Sequence, residues 1–262
     1  MSIKIFDQNE IISLFTTRED NNLSFTRDPD RGRVIRNFTA LAESLNISPE
    51  CFVAGSQTHG INVGVVTKEH IGSGVTKKLH FESTDALVTN VPGIALFTVH
   101  ADCIPVQLWD PVNKAVATIH SGWKSTLGEI ASETVKTMVK TYGTNPENLV
   151  AAIGPGICQE CFEISKDVFD CFNEKFPELC KKPEFIHHGK VPDKWHLNLK
   201  AFVFNSLVKS GVKPENINNN FPCTCCSEDT FFSHRRDSKK KANGEDVILA
   251  AMGSVIYIKE NI

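Results

Sequence analysis

Residues 85–123 hold three dense apolar segments separated by turns, and two of them stop on residues that a strand interior rarely holds. The segments are 86–88, then 94–99 continued by 104–108, then 115–119. Short apolar runs bounded by turn residues predict buried strands. His100-Ala101-Asp102-Cys103 interrupts the second run, and His120-Ser121-Gly122-Trp123 ends the third. A chain built around these runs has to form a sheet, and the sheet has to deliver reactive groups to one edge. Asp110-Pro111-Val112-Asn113-Lys114 predicts a hairpin-type turn between the last two runs.

The flanking sequence supplies further strands and their helical cover. Residues 3–16 alternate weakly and predict a strand or a short helix; 17–24 are polar and turn-like. Val34, Phe38, Leu41, Ala42 and Leu45 recur at helical spacing. Residues 51–55 and 61–66 read as two strands around the loop Gln57-Thr58-His59-Gly60, and 69–83 as an exposed loop. The clearest helix is 125–142, with Leu127, Ile130, Ala131, Thr134, Val135, Met138 and Val139 on one face and Gly143 as its stop. A strand follows at 149–153, a helix capped by Ser165 at 165–176, and a helix at 199–209 stopped by Gly211. Residues 222–226 form a thiol-rich loop, and 247–258 predict a closing strand pair turning at Gly253. Strands joined by hairpins and interleaved with helices predict an α+β fold. The expectation is mixed β-sheets covered by helices, a layered sandwich in a single domain over residues 1–262.

Charge and cysteine usage narrow the function classes. A formal net charge of -3 argues against a general nucleic-acid footprint. His234-Arg235-Arg236 and Lys239-Lys240-Lys241 are a local exception, and the lysines read as a solvated loop. Lys4, Asp7 and Glu10 fall where a signal peptide would be apolar, and no apolar run approaches the length of a membrane span. A cytoplasmic protein with neither a nucleic-acid nor a membrane partner is expected. In that compartment nine cysteines are free thiols, ligands or catalytic groups rather than a disulfide framework.

Gln57 and His59, Asp102 and Cys103, and His120 and Ser121 are polar groups set among apolar strands. Two imidazoles and a thiol are ligand types that zinc prefers, and Cys103 with His120 would equally make a nucleophile pair. Their spacing is not a local metal motif, so both readings stay open at this level. Gly154-Pro155-Gly156 lacks the Gly-Lys-Ser/Thr of a phosphate loop. His100 reads as a core or supporting residue, and the Trp195-His196 pair as packing.

The motifs themselves go further. T-V-H-A-D-C-I-P-V at 98–106 and A-T-I-H-S-G-W-K-S-T-L at 117–127 occur with Q-T-H-G at 57–60 and A-A-I-G-P-G-I-C-Q-E-C-F-E-I at 151–164. W-H-L-N-L-K follows at 195–200, then Cys223-Thr224 and F-F-S-H-R-R-D at 231–237; T-T-R and N-L-S-F at 16–18 and 22–25 match more weakly. Together they resemble the multicopper polyphenol oxidase (laccase-domain) family, also described as YfiH-type purine nucleoside phosphorylases. The resemblance spans nearly the whole chain.

It implies one catalytic zinc held by His59, Cys103 and His120, with a fourth position left for water or substrate. It implies phosphorolysis of adenosine, inosine, guanosine and methylthioadenosine to base and sugar 1-phosphate, and deamination of adenosine. Purine nucleosides and phosphate are the partners expected. On this reading Cys103, His120 and Asp102 are catalytic, and Gln57, Ser121 and His234 hydrogen-bond substrate. Arg18, Arg235 and also Arg236 would offer guanidinium forks to phosphate. Copper would occupy the zinc site only adventitiously, giving weak polyphenol oxidation. Nine scattered histidines without a His-x-His pair are a poor set for a multicopper cluster. The alternatives are a Cys-His hydrolase or amidase acting on cell-wall intermediates, and a non-catalytic metal-binding protein. Cys158-x-x-Cys161 and Cys223-x-Cys225-Cys226 could in principle form a second, structural zinc site, but their separation is far longer than that of a ribbon or finger. The resemblance implies no metal there, so they read as free or partly buried thiols. Two departures from the family pattern are Glu19-Asp20-Asn21 after Arg18 and Ala242-Asn243-Gly244-Glu245 in place of a Gly-Arg pair.

Overall fold

Strands with apolar side chains on both faces need cover on both sides, and this chain supplies it by stacking two sheets between layers of helix. The computed structural model describes residues 2–6 and 9–260. In chain order it begins with β1 (Ile3–Lys4), β2 (Ile11–Phe15), α1 (Arg31–Leu45), β3 (Phe52–Ala54) and β4 (Val63–Val65). The central block is β5 (Ala86–Thr89), β6 (Ala95–His100), β7 (Ile104–Asp110), β8 (Ala115–Ser121), α2 (Trp123–Leu127), α3 (Ile130–Tyr142) and β9 (Val150–Ile153). Then come β10 (Glu163–Ser165), α4 (Lys166–Lys175), α5 (Pro177–Cys180), β11 (Ile186–His188) and β12 (Lys194–Leu197). The chain closes with α6 (Leu199–Lys209), β13 (Ile217–Asn218), α7 (His234–Ala242) and β14 (Met252–Ile258).

Among the described residues the strands form three sheets. One runs β1-β2-β14-β6-β3, a second β13-β9-β7-β8-β5-β4, and a small third β10-β12-β11. Period-two alternation sorts the core into layers. Phe97 of β6 and Val255 of β14 face Val34 and Phe38 of α1. Their neighbours Leu96 and Ile256 point the other way, against Leu87, Trp109 and Val116 of the second sheet. Val106, Leu108, Ala117 and Ile119 then face the helical layer that includes Ile130 and Met138 of α3 and Phe202 and Leu207 of α6. The result is the expected mixed, layered α+β sandwich. Among the described residues no helix is long and apolar enough to cross a membrane.

A buried polar seam runs between the two large sheets. Gln107 accepts from Ser13 Oγ at 2.5 Å and donates to Ser254 Oγ at 2.8 Å. Ser254, Thr118, Thr98 and His100 continue it at 3.0, 2.9 and 2.9 Å. Each hydroxyl is satisfied by its neighbour, which is what makes burial of so many of them tolerable, while His100 Nδ1 at the end of the seam has no partner among the described residues.

Several expectations need correction. Residues 94–99 and 104–108 are not one strand: β6 belongs to the first sheet and β7 to the second. Ala101-Asp102-Cys103 is the crossing between them, turned by Asp102 at φ 81°. The segments 51–55 and 61–66 divide the same way, so the loop 57–60 also crosses from sheet to sheet. Residues 247–258 give one strand, not a pair. Gly253 lies inside it because a Cβ there would stand 2.3 Å from the Phe97 ring. The helix expected at 125–142 is two, broken by Glu129 at φ 62° beside Gly128, whose own Cβ would meet Ile61 at 2.4 Å. The basic segment after Ser233 is not a loop but α7, capped by the Ser233 hydroxyl accepting from Arg236 N. The loop at 69–83 is not wholly exposed, since Ser73, Val75 and Phe81 are buried. Residues 3–16 hold two antiparallel strands; Asp7 and Gln8 lie outside the described residues. Ser165 does sit at the N-cap of α4, but its hydroxyl donates to Asp167 rather than accepting from the helix. Trp195 stacks on Phe169 at 4.4 Å, a packing role as expected.

Candidate metal centre and active-site cleft

Both sheet-to-sheet crossings and the end of β8 meet at one place. The first crossing presents His59, the second Cys103, and β8 carries His120 one residue before its end. The ligand atoms of these three residues all lie within 4.8 Å of one another. Cys103 Sγ is 3.6 Å from His59 Nε2, against about 3.5 Å for a sulfur and a nitrogen sharing one tetrahedral zinc at ordinary bond lengths. The two imidazoles stand edge to face, centroids 4.8 Å apart. The donor set therefore fits a metal that accepts thiolate and imidazole together.

Asp85, fully buried at the start of β5, organises this arrangement. His120 Nδ1 donates to its Oδ1 at 2.8 Å, which leaves Nε2 as the ligand atom. The backbone N–H groups of Thr58, His59 and Gly60 donate to the same carboxylate at 3.1, 2.9 and 2.8 Å. One side chain thus orients an imidazole from β8 and folds the loop that carries the other. His59 itself sits at φ 62°, a conformation that the three converging N–H groups help to hold. Burial works against ionisation of Asp85, but His120 and the loop N–H groups outweigh it and lower its pKa. Burial likewise opposes charge on Cys103 and His120, yet each ionised form stabilises the other: the thiol is pulled down and the imidazole up. A thiol that ionises readily is what a metal ligand needs. His100, behind the site, is buried and held neutral, first by burial and then by His120. It fits the supporting role expected of it.

Gly122 makes the close approach possible. A Cβ there would stand 2.4 Å from His59 Cδ2 and 3.1 Å from Cys103 Sγ. Gly122→Ala is expected to displace His59 and weaken metal binding by roughly tenfold or more, with little loss of fold stability. Metal affinity by competition with a chelator, beside thermal unfolding, checks this; unchanged affinity would show that the pocket yields.

The ligands open onto a cleft with two lobes. One lobe, about 350 Å3, is walled by Trp123, Lys124, Phe162, His234 and Arg235. The other, about 420 Å3, is walled by Phe25, Arg27, Arg31, Lys77 and Lys78. His59, Ala101 and Cys103 line both.

The remaining expected site residues fall into two groups. His234 and Arg235 lie on the cleft. Arg235 is partly committed: its guanidinium donates to the Cys161 and Glu163 carbonyls at 3.2 and 2.9 Å and lies 5.3 Å from the Phe162 ring. Gln57 borders the second lobe, but its amide pairs both ways with the Val99 backbone at 2.8 and 2.7 Å. Asp102 accepts from Thr224 Oγ1, Ser233 Oγ and Arg235 N at 2.6, 3.0 and 2.6 Å, so its carboxylate fixes the start of α7 against the sheet crossing. Ser121 does not reach the cleft; it is fully buried and bonded to Thr126 Oγ1 at 2.8 Å. Arg18 lies in a different depression, donating to the Glu228 carbonyl at 2.8 Å. Arg236 is spent on the carbonyls of Thr224, Cys225 and Phe231 and on Asp237. These last three corrections share a cause: sequence order cannot tell a cleft-facing polar group from one used to tie loops together.

Asp85, Gly122, Lys124 and Arg27 went unnoticed as site residues. Asp85 had a readable signal, a carboxylate directly before a wholly apolar strand, which must find donors if buried.

Comparison with known proteins gives the family. The family model "Multi-copper polyphenol oxidoreductase laccase" matches residues 13–252. The chain belongs to that family. It is 33% identical over 208 residues to "Adenosine deaminase RL5" from an unknown prokaryotic organism, covering 79% of this chain and 78% of that one. It is 31% identical over 223 residues to "Purine nucleoside phosphorylase" from Bacteroides thetaiotaomicron, covering 83% and 82%. The crystal structure of Bacillus licheniformis hypothetical protein YfiH superposes with a TM-score of 0.89 at 28% identity, over 98% of this chain and 96% of that one.

Proposed function

We propose that this protein is a zinc-dependent purine nucleoside phosphorylase that also deaminates adenosine, acting in the cytoplasm. The observation that carries the reading is the meeting of His59, Cys103 and His120 on the floor of a cleft of nucleoside size. Relatives named for both activities support it. The nine unpaired cysteines suit a reducing compartment. Zinc bound by the three ligands would supply Lewis-acid polarisation of an oxygen at its open position. Copper at the same three ligands would be adventitious; among the described residues no further group rich in imidazole exists for multicopper chemistry.

The chain's own residues would do the rest. Trp123 and Phe162 offer apolar faces to a purine, and Lys124 and His234 polar contacts beside them. In phosphorolysis a phosphate oxygen bonds to the sugar C1′, the bond from C1′ to the base nitrogen breaks, and its electron pair leaves with the base. Phosphate binding falls to Lys124, Arg27 and Arg235 rather than to Arg18, which is remote from the cleft.

Adenosine turnover with and without phosphate tests the proposal. Ribose 1-phosphate and adenine are expected with phosphate, and inosine from deamination in either case. Zinc-loaded protein that forms neither would sink it. Arg18→Ala is expected to leave turnover within about twofold, since surface groups away from a site seldom matter to it. A larger drop in kcat/KM without loss of stability would return Arg18 to the site.

A further inference from the structure

Sequence distance kept Cys158-x-x-Cys161 apart from Cys223-x-x-Cys226, but the fold closes it. All four Sγ atoms lie within 4.8 Å of one another. Cys226 Sγ is 4.0 Å from Cys158 Sγ and 3.4 Å from Cys161 Sγ. Four sulfurs around one zinc at about 2.3 Å would stand about 3.8 Å apart. The observed separations are near that value, and all four cysteines are unpaired.

The backbone around them is shaped like two facing knuckles. Cys158 O accepts from Cys161 N at 3.2 Å, and Cys223 O accepts from Ser227 N at 3.0 Å. The knuckles are joined directly: Gly156 pairs with Cys223, and Cys158 N donates to Cys223 Sγ at 3.2 Å, a bond that favours a thiolate there. Burial lowers the pKa of Lys200, thiolates at Cys223 and Cys158 work against that, and its ammonium donates to the Phe221 carbonyl at 2.8 Å. It would offset part of the charge of four thiolates on one divalent ion. Cys225, the extra thiol in the loop, packs against the hydrophobic core as Cys161 and Cys223 do, but is not among the four whose Sγ atoms converge.

We propose that Cys158, Cys161, Cys223 and Cys226 bind a second zinc ion, structural in role and sharing no ligand with the site at His59, Cys103 and His120. Four protein thiolates close the tetrahedron and leave no position for substrate. Its use is local. Ile157 and Phe162 flank the first knuckle and line the cleft, and Arg235 donates to the Cys161 carbonyl. Arg236 donates to the carbonyls of Thr224 and Cys225 in the second knuckle. The ion would lock two loops into one cleft wall and hold the start of α7 against it.

Metal content of the full-length protein tests this independently of any activity. Elemental analysis and native mass spectrometry of protein purified with zinc should find two ions per chain. Cys103→Ala should keep one, and its cobalt-substituted form should show the intense thiolate-to-metal absorption of four sulfur ligands. Cys158→Ser/Cys226→Ser should also keep one. Because Cys103→Ala leaves the four thiols intact, the test stands even if the double variant fails to fold. A single zinc in the wild type that disappears in Cys103→Ala would overturn the proposal. So would iron in its place, or two disulfides among these cysteines in protein alkylated under native conditions.

Discussion

Cys103→Ala is expected to lower nucleoside turnover on the order of a thousandfold, the factor that several kcal/mol of lost Lewis-acid stabilisation represents. The variant removes the one anionic ligand of the candidate centre. Two neutral imidazoles alone bind zinc far more weakly than they do with a thiolate. The fold should tolerate the change, because Cys103 sits on a sheet crossing rather than within the packed layers. A melting temperature close to wild type, with adenosine and phosphate left unconverted, is the result to look for. Turnover persisting at wild-type level in metal-depleted Cys103→Ala would remove both the metal and the thiol from the chemistry. Cys103→Ser separates the two, since a serine hydroxyl stays protonated where the cysteine ionises. If the thiol were instead the nucleophile of a Cys-His hydrolase, wild-type activity would survive chelation and be lost to alkylation.

The second large effect belongs to Asp85→Asn. The aspartate accepts one imidazole N–H and three backbone N–H groups. An asparagine side chain of the same shape keeps one acceptor oxygen and turns an NH2 group toward donors already there. At a fully buried position the lost pairing is expected to cost about 2–4 kcal/mol of stability. Zinc affinity should fall a further 10- to 100-fold, roughly the effect of removing a partner behind a metal-bound histidine. Chemical denaturation of the metal-free protein reads the first effect and chelator competition the second. A stable variant that binds zinc normally would show that the loop carrying His59 is held by something other than this carboxylate.

Much of the scaffold was legible because burial writes itself into period. The runs at 86–88 and 115–119, the helical face from Ile130 to Met138, and the stop at Gly143 all follow from local rules, although Val139, expected on that face, is exposed. What local rules could not supply was membership of a sheet. Residues 94–99 and 104–108 look like one interrupted strand, because each is apolar on both faces in the same way. Only the left-handed turn at Asp102 separates them, and aspartate signals that conformation far less strongly than glycine does. The same limit hid the four-cysteine cluster, whose halves are brought together by pairing of Gly156 with Cys223. The candidate ligand triad was available from motif resemblance, and its donor atoms do converge. The expected substrate groups fared less well. Arg18, Ser121 and Arg236 are polar residues in the right motifs whose hydrogen bonds turn out to be spent inside the fold.

The two sheet crossings also bear on how this protein acquires its site. His59 reaches Cys103 only after β3 has paired in parallel with β6 and β4 with β5. Neither pairing is a hairpin, so each closes a long loop before any contact rewards it. Cys103, by contrast, directly precedes β7, and His120 lies on β8, which pairs with β7 across a tight turn. During refolding the thiol and one imidazole should therefore come together early and the second imidazole late. A metal ion added at the start would meet a two-ligand precursor, and the rate at which full affinity appears would follow the slow parallel pairings rather than the encounter with the ion.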